Sequence, residues 1–156
     1  NYSSIDFSPD EKLLALASKE GEIQFWNLSL RRFENNKIQA HKGKINSLNF
    51  NGDGELLLTG GEDGIVKVWV VETKEQLLQF DAFSKFNSAS VLDVSFNPID
   101  SSQIVFATSK ATSNTSIFVV WRNGDLDALL NRGCRWLKYY HNKINQNNQI
   151  SDNLGC

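Results

Sequence analysis

Phe7, Phe50 and Phe96 stand 43 and 46 residues apart, and Trp26, Trp69 and Trp121 stand 43 and 52 apart. Aromatic residues that return at a period in the low forties mark a chain built from repeated units. A unit of that size cannot bury its own apolar face and must stack on a like neighbour. Between the first two units the register holds residue for residue: Asp10 falls over Asp53, Gly21 over Gly64, Ile23 over Val66 and Phe25 over Val68. The apolar runs are short. They are separated by Asn51-Gly52-Asp53-Gly54 and by Gly60-Gly61-Glu62-Asp63-Gly64, residues that tolerate the positive φ a tight antiparallel turn needs.

The spacing predicts strands over 2–7, 13–18 and 22–27, with a weak outer strand over 32–39 whose Glu, Asn and Lys suit an exposed edge. The second unit repeats this over 45–50, 56–60, 66–70 and 76–80. Its middle runs are almost continuously apolar, as in a sheet covered on both faces. The third is predicted over 91–96, 104–108 and 117–121. Its extra length falls partly in the polar run Lys110-Ala-Thr-Ser-Asn-Thr-Ser, expected to form a surface loop. Four short strands per unit, with a tryptophan closing the third, is the pattern of a propeller blade. After Trp121 the period changes. Leu126, Leu129, Leu130, Cys134 and Leu137 fall on one helical stripe, interrupted at Gly133, and 145–156 is polar. The fold class expected is therefore all-β: a partial β-propeller of about three antiparallel blades followed by a C-terminal helical tail. The expected divisions are 1–39, 40–80, 81–122 and 123–156.

On these residues the chain resembles the WD-repeat β-propeller family over roughly residues 1 to 122. The resemblance implies that His41, Thr59, Asp63 and Trp69 form a buried structural hydrogen-bond network rather than a catalytic group. Only the second unit carries the full set, since Leu16 and Glu20 replace Thr59 and Asp63 in the first. The Trp-Asp pair that names the family is Trp26-Asn27, Trp69-Val70 and Trp121-Arg122 here. The string Leu129-Leu-Asn-Arg-Gly-Cys-Arg-Trp-Leu is similar to the tail after the last repeat of large bacterial, especially cyanobacterial, WD-repeat proteins. Many of those carry an upstream NACHT- or STAND-type NTPase.

Three blades do not close a ring, which takes about four to eight. With no methionine and a start at the mouth of a strand, the chain reads as a piece of a longer protein, with the remaining blades supplied by the same chain or by other subunits. A net charge of −2 gives no electrostatic hold on nucleic acid or an anionic membrane. No apolar run reaches the roughly 20 residues of a membrane span. Two cysteines make no disulfide scaffold, so a reduced, cytoplasmic setting is expected. No Gly-Lys-Ser/Thr follows the glycine-rich turns, and His41 and His141 lack ligand partners at metal spacing, so no cofactor, metal or catalytic residue is expected. The function expected is a non-catalytic protein–protein interaction scaffold. Its protein or peptide partner would meet the rim at Lys19, Lys42, Lys44 and Glu62. The alternative is a ligand-sensing or autoinhibitory propeller of a STAND-type signalling NTPase.

Overall fold

A computed structural model describes residues 1–82, 88–110 and 116–122. The helical tail expected over 123–156 and Asn87, the third unit's residue near the His41 position, lie outside the described residues. Twelve strands are described. The first sheet contains β1 (Tyr2–Phe7), β2 (Leu13–Ser18), β3 (Glu22–Asn27), β4 (Arg32–Phe33) and β5 (Ile38–Gln39). The second contains β6 (Ile45–Phe50), β7 (Leu56–Gly61), β8 (Ile65–Val70) and β9 (Gln76–Asp81), and the third β10 (Ser88–Phe96), β11 (Gln103–Lys110) and β12 (Ser116–Arg122). Neighbours pair in chain order, except that β4 and β5 both pair with β3, and the pairs among β1 to β11 are antiparallel.

The outer strand predicted over 32–39 is thus two short pieces. Trp26 pairs with Phe33 at one end of β3 and Ile23 with Ile38 at the other, while Glu34 N–H still reaches the Phe25 carbonyl at 2.8 Å. In the third sheet β11 and β12 run into the polar insertion from both ends. The remainder of that run, 111–115, on which the expected loop falls, lies outside the described residues.

Polar side chains close the turns between the first two strands of each sheet. Leu13 N–H donates to Ser8 Oγ at 2.9 Å and Lys12 N–H to Asp10 Oδ1 at 3.1 Å. In the second sheet Leu56 N–H donates to Asn51 and Glu55 N–H to Asp53, both at 2.9 Å. Hydrogen bonds from the Ser8 hydroxyl, from Lys12 N–H and from the Lys12 ammonium hold the Asp10 carboxyl down at about 2.

Two apolar cores lie between the sheets. The back of the first sheet (Ala15, Ala17, Ile23, Phe25) packs on Ile45, Leu48, Phe50 and Leu57 of the second. The back of the second (Leu58, Val66, Val68) packs on Val91, Val94, Phe96, Ile104 and Phe106 of the third. Gly60 permits the second contact: a Cβ there would lie 2.5 Å from Val91 Cγ1 and 2.7 Å from Val94 Cγ1.

Each innermost strand carries a β-bulge at the same place. The pairing slips between Tyr2 and Ser4, between Ile45 and Ser47, and between Val91 and Asp93, with a further slip between Ser88 and Ser90 in β10. The extra residues at the equivalent bulges are Ser3, Asn46 and Leu92. A bulge re-aims the side chain it carries. Here Ser3 Oγ lies 2.6 Å from the Ile45 carbonyl of the next sheet, and Asn46 Nδ2 2.7 Å from the Val91 carbonyl of the one after. Three residues further on, Asp6 Oδ2 accepts Phe50 N–H at 2.8 Å and Asn49 Oδ1 accepts Phe96 N–H at 2.9 Å. The same polar clasp therefore joins the first sheet to the second and the second to the third.

Candidate functional site

The structure brings His41, Thr59, Asp63 and Trp69 into one hydrogen-bonded chain. Thr59 in β7 and Trp69 in β8 are on neighbouring strands. His41 comes from the segment before β6, and Asp63 from the β7–β8 turn. Trp69 Nε1–H donates to Thr59 Oγ1 at 3.0 Å, and Thr59 Oγ1 lies 2.8 Å from His41 Nε2. His41 Nδ1 lies 2.9 Å from Asp63 Oδ1 and 3.2 Å from Oδ2. His41, Thr59 and Trp69 are buried.

These partners assign the tautomer. Asp63 accepts a hydrogen bond from Nδ1–H, so the Nδ1–H tautomer of His41 offers Nε2 as acceptor to the Thr59 hydroxyl, which in turn accepts from the indole. Every polar group in the chain is then satisfied. The threonine proton points at the imidazole and its oxygen is taken by the tryptophan, so the hydroxyl is held as a link and is not presented to solvent as a nucleophile.

Asp63 also accepts Lys42 N–H at 3.0 Å and Ile65 N–H at 3.2 Å. Burial by itself raises its carboxyl, but the hydrogen bonds donated by His41, Lys42 and Ile65 outweigh burial and hold it below the ordinary 3.8.

Gly61 makes room for this arrangement. A Cβ at Gly61 would fall 2.6 Å from His41 Nδ1 and 2.8 Å from Asp63 Oδ1. The first sheet has Ser18 at the equivalent position, and there the serine does the work of the aspartate. Ser18 Oγ accepts Glu20 N–H at 3.1 Å and Glu22 N–H at 3.0 Å, and Glu22 is the counterpart of Ile65. Leu16 and Phe106 occupy the place of Thr59, opposite Ile5 and Val94 as Thr59 is opposite Leu48. The sequence reading missed Ser18 and Gly61. Their alignment in the 43-residue register was the signal available.

Lys19 lies in the β2–β3 turn, Lys42 and Lys44 in the segment before β6, and Glu62 in the β7–β8 turn. These segments meet at one end of the sheets. Ala40 N–H and His41 N–H both donate to the Gly21 carbonyl, and Glu62 N–H donates to the Lys44 carbonyl at 2.9 Å. Lys19, Lys42 and Glu62 are exposed, and Lys44 is half-buried.

At the other end of the sheets a cleft of about 580 Å³ is lined by Asp10, Glu34, Asp53, Glu55, Glu72 and Lys74 among others. Lys74 spans the gap between two sheets. Its Nζ pairs with Glu34 at 3.0 Å and sits 3.6 Å from the centre of the Phe25 ring. Among the described residues no group of three or more His, Cys, Asp or Glu side chains is placed to hold a metal ion.

Antiparallel sheets stacked back to front, joined by one repeated clasp and carrying an internal Trp–Thr–His–Asp chain, define a β-propeller blade array. The family model of the anaphase-promoting complex subunit 4 WD40 domain matches residues 5–97, and the chain belongs to this WD40 family. Relatives include DDB1- and CUL4-associated factor 13 of Dictyostelium discoideum, 29% identical over 110 residues, covering 70% of this chain and 23% of that protein. The GATOR2 complex protein WDR24 of Danio rerio is 31% identical over 128 residues, covering 78% of this chain and 16% of that protein. The chain thus spans under a quarter of either relative. The β-propeller domain of Myceliophteria thermophila Cps50 (Swd1) superposes with a TM-score of 0.63 at 19% identity, covering 76% of this chain and 38% of that one. That likeness concerns the fold.

Proposed function

We propose that the chain is a non-catalytic protein–protein interaction scaffold, part of a WD40 propeller. Its partner, a protein or peptide, meets the rim formed by Lys19, Lys42, Lys44 and Glu62. One observation carries this reading: Asp63 of the buried chain accepts the Lys42 N–H. The hydrogen-bonded chain thereby fixes a loop whose own side chains are exposed, as a recognition loop on a rigid support requires. The names of two relatives, a GATOR2 complex protein and a DDB1- and CUL4-associated factor, agree with work inside assemblies. The two-cysteine composition supports a cytoplasmic setting.

The second reading rests on the Leu129–Leu137 string of the tail. In it the propeller is the ligand-sensing or autoinhibitory arm of a STAND-type NTPase whose chemistry lies upstream.

The test of the scaffold reading is selection of a displayed random-peptide library on the wild-type chain and on a Lys19→Glu, Lys42→Glu, Glu62→Lys variant. Peptides enriched by the wild type and lost by the variant support it. Peptides retained equally by both place binding elsewhere and overturn the rim assignment.

A further inference from the structure

A lysine on a surface turn ordinarily lays its stem on the protein and keeps its ammonium in water. Lys74, in the β8–β9 turn, does the reverse. Its Nζ lies 3.6 Å from the centre of the buried Phe25 ring and 3.0 Å from Glu34 Oε2, both in the first sheet. An aromatic face beside a carboxylate is a seat made for a cation, and here the chain's own ammonium is in it. The seat borders the 580 Å³ cleft, to which Leu13, Val70 and Val71 give apolar surface. The charge around that cleft is unbalanced. Asp10 pairs with Lys12 and Glu34 with Lys74, while Asp53, Glu55 and Glu72 have no cation partner among the described residues.

The turn does not need this contact to keep its shape. Its backbone closes on itself: Lys74 N–H donates to the Val70 carbonyl and Val70 N–H to the Glu75 carbonyl, both at 2.9 Å. Arg31, which falls at the same place in the first unit, has the same left-handed backbone, φ 50° against 63° for Lys74, and its side chain is exposed. The Lys74 side chain is therefore an insertion into a site that the rest of the fold builds without it.

We propose that Phe25 and Glu34 form a binding seat for an alkylammonium group, which Lys74 fills in the free chain and a lysine side chain of a partner protein segment fills in its place. The surface is separate from the rim and lies at the opposite end of the sheets. A tethered lysine acts at a high effective concentration, so a lone amine does not displace it. The partner segment is basic beyond that one lysine, and Asp53, Glu55 and Glu72 hold its further positive charges. Lys74 thus acts as a built-in competitor that admits only a segment able to use both the seat and the carboxylates.

Lys74→Ala empties the seat, and n-butylammonium chloride is the probe, with n-butanol in equimolar sodium chloride as the uncharged control. The thermal midpoint of the variant should rise saturably by about 2–6 °C with the amine and not with the alcohol, while the wild type stays level. If Lys74→Ala does not fold, Lys74→Gly carries the same test, since glycine suits the positive φ. A variant that responds equally to amine and alcohol, or to neither, overturns the seat. A peptide of alternating lysine and glycine tests the partner. It should bind the emptied variant roughly tenfold more tightly than the wild type, the loss of one competing contact, and lose that gain when Glu55→Gln and Glu72→Gln are added. Lys12→Ala removes a positive charge beside the cleft and leaves Lys74 in place. An equal gain in Lys12→Ala reduces the effect to net charge and overturns the proposal, as does a gain that survives Glu55→Gln and Glu72→Gln.

Discussion

The Asp6 carboxylate bridges two sheets: Oδ1 accepts the N–H of Phe7 beside it, and Oδ2 accepts the N–H of Phe50 in the next sheet. Asn49 repeats the inter-sheet half of this bond on Phe96 and also donates Nδ2–H to Asp6 Oδ2 at 3.2 Å. The polar clasp is therefore continuous from the first sheet to the third, at the junctions where the apolar cores meet.

Asn49→Asp tests that continuity. The new carboxylate still accepts Phe96 N–H but faces Asp6 with a like charge where the amide donated a hydrogen bond. The variant should lose about 1–3 kcal/mol at neutral pH, read from urea unfolding. Part of the loss should return in mild acid, as one of the two carboxylates takes up a proton. A loss independent of pH would show that the two side chains do not meet.

Thr59→Val removes the middle link of the Trp69–Thr59–His41 chain at nearly constant volume. It leaves the buried indole N–H and the imidazole Nε2 without partners, at a cost of about 1–3 kcal/mol in unfolding free energy. His41→Ala should be of similar size, and the double variant should fall well short of the sum, because both break one chain. Additive losses would indicate that the four residues do not act as a unit.

Asp63 titrates below its ordinary 3.8 in the folded chain. The stability it contributes is thus fully present above that value and is lost as the pH falls through the depressed folded value. Asp63→Asn should flatten the dependence of the unfolding midpoint on pH in this range. An unchanged acid limb would assign the dependence to other carboxylates.

Gly61→Ala places a methyl group against His41 Nδ1 and Asp63 Oδ1 and should destabilise by about 2 kcal/mol or more through overpacking and a broken hydrogen bond. Ser18→Ala in the first sheet, where no such pair exists, removes a turn acceptor instead and should cost about 1 kcal/mol. Equal effects at the two positions would contradict their different roles.

Much of this architecture was legible in the sequence. The fixed returns of Phe and Trp, with Gly-Asp turns between short apolar runs, place most strands within a residue or two, because burial on both faces leaves little freedom in strand composition. The His41, Thr59, Asp63, Trp69 set stood out by residue type and spacing, with its chemistry supplied by family resemblance. The bulges were not legible. A one-residue slip leaves no mark in an apolar pattern, and Ser3 and Asn46 read as ordinary polar strand residues until the slip turns them toward the neighbouring sheet. Nor was the exchange of duties between Ser18 and Asp63, since either side chain can accept the same turn N–H from a different distance along the chain. The split of the outer strand into Arg32–Phe33 and Ile38–Gln39 was likewise hidden, because an edge strand carries few apolar constraints.

In the bonds made at the bulge and three residues on, the innermost strand of the earlier sheet contributes the side chain and that of the later sheet the peptide group, while Asn49 on Asp6 and Ser47 on Asp93 add side-chain pairs across the two junctions. The seam is thus polarised, like overlapping roof tiles. Loosening the first sheet uncovers the Phe50 amide while the third sheet stays fastened to the second. Losing the third sheet bares the side chains of Asn46 and Asn49 and leaves the Phe50 amide shielded. Deuterium uptake at these two amides, Phe50 and Phe96, would report which sheet lets go first.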